Sequence, residues 1–203
     1  MLTAALTLLT GNALAGGIGL MATGGVHGEP LYYYSSVDEN GIEFTDPSQY
    51  DQFKVMQTLP NLGGGLEFLL GDRDDRILGV TRFYYLMDSP QIDPTAADDN
   101  RPDDTLVVAY REGARHIGVG MIGLNWGIVG DPNKFQFGLG THIGAAFMTN
   151  DYSDFLLLSG GPTLTYRLNR QVQVYGELAY QARFRFDIQH SADANLGVRY
   201  FFD

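Results

Sequence analysis

The feature that most constrains this chain is an alternation of apolar and non-apolar residues with a period of two, repeated along almost its whole length. In the closing stretch, Ala194, Leu196, Val198, Tyr200 and Phe202 alternate with Asn195, Gly197 and Arg199. Successive side chains of a strand point to opposite faces, so each such run carries one greasy face and one that is not. The pattern recurs from Gly16 to His27 (Ile18, Leu20, Ala22, Val26) and from Pro60 to Gly71 (Leu62, Leu66, Phe68, Leu70). From Arg76 to Met87, Ile77, Thr81, Phe83 and Tyr85 share one side and Arg82 takes the other. A run from His116 to Val129 shifts parity near Gly123, where a bulge is expected. Lys134–Met148, Phe155–Arg167 and Gln171–Arg183 follow, and the closing stretch makes eight predicted strands.

Composition supports strands over helices. The 203 residues include 26 glycines and 24 Tyr plus Phe, a mixture that suits strands and tight packing, and the length fits one all-β unit. A net charge of −11 argues against a nucleic-acid backbone as partner, because that requires clustered Lys and Arg. With no cysteine, thiol chemistry, disulfides and thiolate metal sites are excluded. Residues 1–15 form an apolar run closing on Ala13-Leu14-Ala15, an A-x-A pattern. They are expected to be an export signal, although no Lys or Arg precedes the run, with the barrel domain occupying 16–203. No other stretch approaches the ~20 apolar residues of a spanning helix, so a membrane location would require a barrel.

The connections alternate in length. "DRDD" at 72–75, "GDPN" at 130–133 and "LNR" at 168–170 are short, whereas 29–57 and 88–115 are long and polar. Short turns at one rim and long loops at the other, joining an even number of strands, are the outer-membrane arrangement. Register adds a test. A turn centred between Asp74 and Asp75 sets Glu67 opposite Arg82 on the non-greasy face, and a turn centred on Ile188 sets Glu177 opposite Arg199. Buried charges need partners, so both pairs are expected inside the barrel. The greasy face then meets lipid, small residues and paired charges fill a narrow interior, and Tyr84, Tyr85, Tyr166, Tyr180 and Tyr200 form interfacial belts. The fold class is an all-β, eight-stranded antiparallel transmembrane barrel.

This strand plan, together with the ending "NLGVRYFF", resembles the small outer-membrane β-barrel proteins, the broad group containing the transmembrane domain of outer-membrane protein A and the barrels of the OmpX and Ail type. The resemblance covers everything after residue 16 and implies a bacterial outer-membrane location, lipid and lipopolysaccharide as surroundings, and delivery by the barrel assembly machinery. It also implies that Leu196, Val198, Tyr200 and Phe202 are the assembly signal; Asp203 after the final aromatic is a departure from that pattern.

Motifs for chemistry are sparse. His27, His116, His142 and His190 fall on different strands. In "QHSAD", His190 and Ser191 point to opposite faces, so base and nucleophile do not converge as a lipid A-modifying enzyme would require. "LGGGLEF" and "LSGGPT" lack the Lys-Ser/Thr and following helix of a phosphate loop. In the acidic segment Asp88–Asp104, Asp98, Asp99, Asp103 and Asp104 offer oxygen ligands to a divalent cation without EF-hand spacing, and a solvated loop is the simpler reading. No cofactor is expected. The sequence therefore favours a structural, scaffold or recognition barrel whose segments 29–57 and 88–115 contact a surface ligand or an envelope complex. A narrow pore for small solutes is the alternative, and an enzyme the remotest reading.

Overall fold

The computed structural model describes residues 16–35, 42, 45, 51–88, 106–108, 115–148, 155–184 and 188–202. Its strands are β1 (Gly16–Ser35), β2 (Asp51–Leu70), β3 (Ile77–Asp88), β4 (Leu106–Val108), β5 (Arg115–Gly130), β6 (Phe135–Met148), β7 (Phe155–Arg167), β8 (Val172–Phe184) and β9 (Ile188–Phe201). All pairings are antiparallel, and every strand except β4 joins a closed ring in the order β2-β3-β5-β6-β7-β8-β9-β1, with β1 pairing back onto β2. The eight long strands are those expected from the alternation. The three-residue β4 is an addition, pairing with Tyr33, Tyr34 and Ser35 of β1.

Stepping across the ladder from Gly17 passes Leu69, Val80, Gly123, His142, Ser159, Gln181 and Ser191 and returns to β1 at His27, ten residues higher. A shear of ten over eight strands tilts each strand by about 40° from the barrel axis. The residues on that path all face inward. Their outward neighbours are the greasy ones: Leu20, Leu62, Phe83, Ile122, Phe137, Leu164, Leu178 and Leu196 are all exposed, while Glu67, Arg82 and Arg199 are at most 1% exposed. Polar inside and apolar outside is the inverse of a water-soluble barrel. It is stable only where the exterior meets hydrocarbon, which also demands that every backbone group be paired around a closed ring.

Four details depart from the expectations. The ladder irregularity in β5 lies between Gly127 and Val129, so inward parity holds through Gly123 and breaks only beside the 131–134 turn. Tyr84 faces the lumen, 6% exposed with its hydroxyl 3.3 Å from Met121 Sδ, because β3 keeps even residues inside; Tyr85, Tyr166, Tyr180 and Tyr200 face outward. Both ends of the segment 29–57 are strand: β1 and β2 remain paired rung by rung out to Ser35 and Asp51. Finally, Glu177 stands opposite Asn195, and Arg199 opposite Gln173. The β8–β9 hairpin is centred on Phe186, two residues before Ile188, which moves every rung by four residues and overturns the expected Glu177/Arg199 pair. The glycine run "LSGGPT" finds its reason in close approach: a Cβ on Gly161 would stand 1.8 Å from the carbonyl oxygen of Leu178 on the adjacent strand.

Candidate functional site

The lumen is filled in layers. Nearest the turn end, Leu69, Leu78, Val80 and Phe201 form a small apolar plug. Above it lies a network of four charged side chains. Arg82 Nε donates to Glu67 Oε1 at 2.7 Å, and Arg199 Nε donates to Glu67 Oε2 at 2.9 Å, so one carboxylate joins two guanidinium groups. Arg82 Nη2 then lies 2.5 Å from Glu177 Oε2, an ion-pair contact outside hydrogen-bond alignment. Arg199 Nη1 also reaches Gln173 Oε1 at 3.4 Å, its guanidinium sits 3.9 Å above the Tyr175 ring, and Asn125, with its amide oxygen turned inward, accepts from Nη2 at 2.8 Å. His142 Nδ1 is 3.7 Å from Glu177 Oε1.

All four residues named from the sequence are therefore brought together, in a different pairing from the expected one. Glu67 and Arg82 are neighbours across the β2–β3 hairpin, as the turn dictates. Glu177 instead meets Arg82, although β8 and β3 lie four strands apart in either direction around the ring. That contact crosses the whole lumen. Two positive and two negative charges then compensate one another in a space without bulk water, as a buried ionic group requires. The void on the turn side of Arg199 measures about 20 Å³, room for one water.

A third layer is apolar on one wall, with Met21, Leu86, Ile117, Val119, Met121, Ala146 and Leu157 packed together. Beside it, from β2 and β9, Asn61 Nδ2 donates to Asp193 Oδ1 at 3.0 Å and Ser191 Oγ donates to Asp193 Oδ2 at 2.8 Å. Closest to the loops, Arg115 grips Asp88 with two bonds of 2.7 Å, and His27 Nε2 stands 3.2 Å from Asp88 Oδ2. Sequence reasoning missed this loop-side group. Asp88 reads as the first residue of the acidic loop and Arg115 as the last of that same connection, and only the inward parity of His27 and Asp88 hints at their place.

The remaining candidates scatter. His190 faces outward and stacks on Tyr180 with ring centroids 5.8 Å apart, while Ser191 points inward, so they do not converge. His116 lies against outward Tyr85 with ring centroids 5.6 Å apart and the planes tilted by 31°. Leu196, Val198, Tyr200 and Phe202 line the outer wall of β9 and its end, exposed as an outward stripe. Asp98, Asp99, Asp103 and Asp104, and the export segment 1–15, lie outside the described residues. Among the described residues no three His, Asp or Glu side chains gather as a metal site.

A closed ring of eight tilted antiparallel strands, greasy outside, ionic inside and with its short turns at one end, defines a transmembrane β-barrel of the outer-membrane type. No family model and no curated protein matches the chain. Among solved structures it is similar to Neisserial surface protein A, at 11% identity over 92% of this chain and 97% of that one with a TM-score of 0.47. It is also similar to Ail of Yersinia pestis, solved with the heparin analogue sucrose octasulfate, at 12% identity over 92% and 99% with a TM-score of 0.39. The outer-membrane protease OmpT of Escherichia coli gives 11% identity over 92% and 97%, with a TM-score of 0.35. At these identities and scores no residue role passes from any of them to this chain.

Proposed function

We propose that this protein is a closed-lumen structural and recognition barrel of a Gram-negative outer membrane, exported by residues 1–15 and assembled through the stripe Leu196, Val198, Tyr200 and Phe202. The observation that carries the reading is the Arg82–Glu177 contact, which joins opposite walls across the lumen. A wall that conducts nothing and presents no convergent nucleophile among the described residues does its work at its ends. The first hairpin supplies the means. Its ladder continues seven rungs beyond Gly28, where β9 stops pairing with β1, and so runs on for about 23 Å along the strand. Among the described residues, β2 has no ladder partner on its β3 side before Asn61, so the ribbon offers a backbone edge to a surface ligand or an envelope partner.

The test is planar-bilayer conductance of the refolded, heat-modifiable protein beside Glu67→Gln. Silence from both is expected. Steady channels in the parent, or a sharp rise in the variant, would overturn the closed-lumen reading in favour of solute passage gated by the charge network. Replacing residues 30–56 by a two-residue turn, with the gel shift retained, is expected to abolish partner capture and leave the barrel intact.

A further inference from the structure

The turn end is richer in cations than the chain as a whole, five against the four carboxylates Asp72, Asp74, Asp75 and Asp131. Of the 13 Lys and Arg in a protein of net charge −11, Arg73, Arg76, Lys134, Arg167 and Arg170 lie in or beside the three short turns. Two of the neighbouring carboxylates shape those turns, Asp75 Oδ2 accepting from the Asp72 amide at 2.7 Å and Asp131 Oδ1 from the Asn133 amide at 2.8 Å, while Asp74 lies 3.8 Å from Arg73 Nε and 3.2 Å from Arg167 Nη1. Between two of the turns and the end of β7 is a recess of about 520 Å³ lined by Arg73, Asn133, Arg167, Leu168, Asn169 and Arg170, with no carboxylate in its wall.

Arg167 is the fixed point of this recess. Its side chain is 4% exposed, its guanidinium lies 5.5 Å over the Phe201 ring, Nη1 reaches Asp74 Oδ1 at 3.2 Å, and Nη2 donates to the Arg73 carbonyl. These contacts lock the plane of the group and leave Nε buried without an acceptor. A buried donor left unmade is costly, and an immobilised guanidinium loses little entropy when it gains a partner. Arg170 is exposed and Arg73, paired with Asp74 at 3.8 Å, is half-buried on the same rim, so Arg170 adds a further cation beside whatever Arg167 holds.

We infer that this recess is a binding site for an oxyanion, a phosphate or carboxylate group presented at the turn-side face of the barrel. Forked acceptors of this kind suit guanidinium donors, and charge-assisted bonds to them are the strong ones. A free anion and the headgroup of a phospholipid in the turn-side leaflet share that chemistry.

The experiment follows the arginine Nε–H resonances of the full refolded barrel in zwitterionic nanodiscs while sodium phosphate is added, with sodium chloride at matched ionic strength as control. A saturable shift of the Arg167 signal with phosphate alone is expected, weakened about tenfold by Arg170→Gln or Arg73→Gln. A shift that chloride reproduces, a shift that never saturates, or one that both substitutions leave unchanged would overturn the site. Nanodiscs containing anionic phospholipid separate the sources. If Arg167 already sits at its bound position before phosphate is added, a headgroup occupies the recess; if it moves only on addition, the site takes the free anion.

Discussion

Two ionic groups occupy the same lumen and differ in what they join. The loop-side group, His27, Asp88 and Arg115, draws together β1, β3 and β5, strands on one side of the ring, and lies next to the rim. The central group of Glu67, Arg82, Glu177 and Arg199 draws β2 and β3 to β8 and β9 across the axis. The first staples a patch of wall, whereas the second ties one wall to the other across the lumen. Charge burial of the same kind thus serves two ends, and the distinction lies in how far around the ring the partners stand.

The sharpest way to break this comparison is to remove one central cation. Arg82→Leu leaves Glu67 and Glu177 buried with reduced compensation and is expected to lower unfolding stability by about 3–5 kcal/mol in urea titrations read by the gel shift. An unchanged midpoint would mean that the network is not under strain of charge burial. Asp88→Asn removes an acceptor at the rim and should cost about 2 kcal/mol, without opening the lumen to ions in bilayer recordings. A next, smaller effect concerns the aromatic roof over Arg199. A Cβ on Gly197 would stand 2.4 Å from the Tyr175 ring, so Gly197→Ala is expected to displace that ring and cost about 1.5 kcal/mol, seen as a lowered midpoint.

Connectivity can be measured directly. A double-mutant cycle on Arg82 and Glu177 should give a coupling of about 1 kcal/mol or more, and one on Glu177 and Asn195, which share a ladder rung without an ion pair, less than about 0.5 kcal/mol. Reversal of that order would restore hairpin neighbours over cross-lumen partners. The least effect belongs outside the tube: Tyr180→Phe, which removes a hydroxyl from the outward Tyr180/His190 stack, is expected to stay within about 0.5 kcal/mol.

What could be read in advance follows the same division. Strand number, inside and outside, and the Glu67/Arg82 pairing depend on the period of two and on a short turn with an evident centre, and those are local properties. The partner of Glu177 depends on the centre of a hairpin whose residues carry no strong turn signal, and on shear, which is a property of the closed ring and of no single strand. A two-residue displacement of one centre was enough to exchange Arg199 for Arg82. The projecting ribbon and β4 were hidden for a different reason: "YYYS" at 32–35 and "LVV" at 106–108 sit inside connections that look like loops by composition, and their pairing depends on each segment finding the other.

The seam between β1 and β9 has a further consequence, for how the molecule comes into being. Its rungs run from Gly17 with Phe201 to Gly28 with His190, so the residues that complete the ring are more than 160 positions apart along the chain. Every other neighbour in the tube is met within one hairpin or one connecting loop, save this one. Loop-closure entropy makes such a contact slow to form, and until it forms both terminal strands expose unpaired backbone. Closure of the seam is thus expected to be the slow, committing step of biogenesis, and the last few residues of the chain carry a kinetic burden out of proportion to their number.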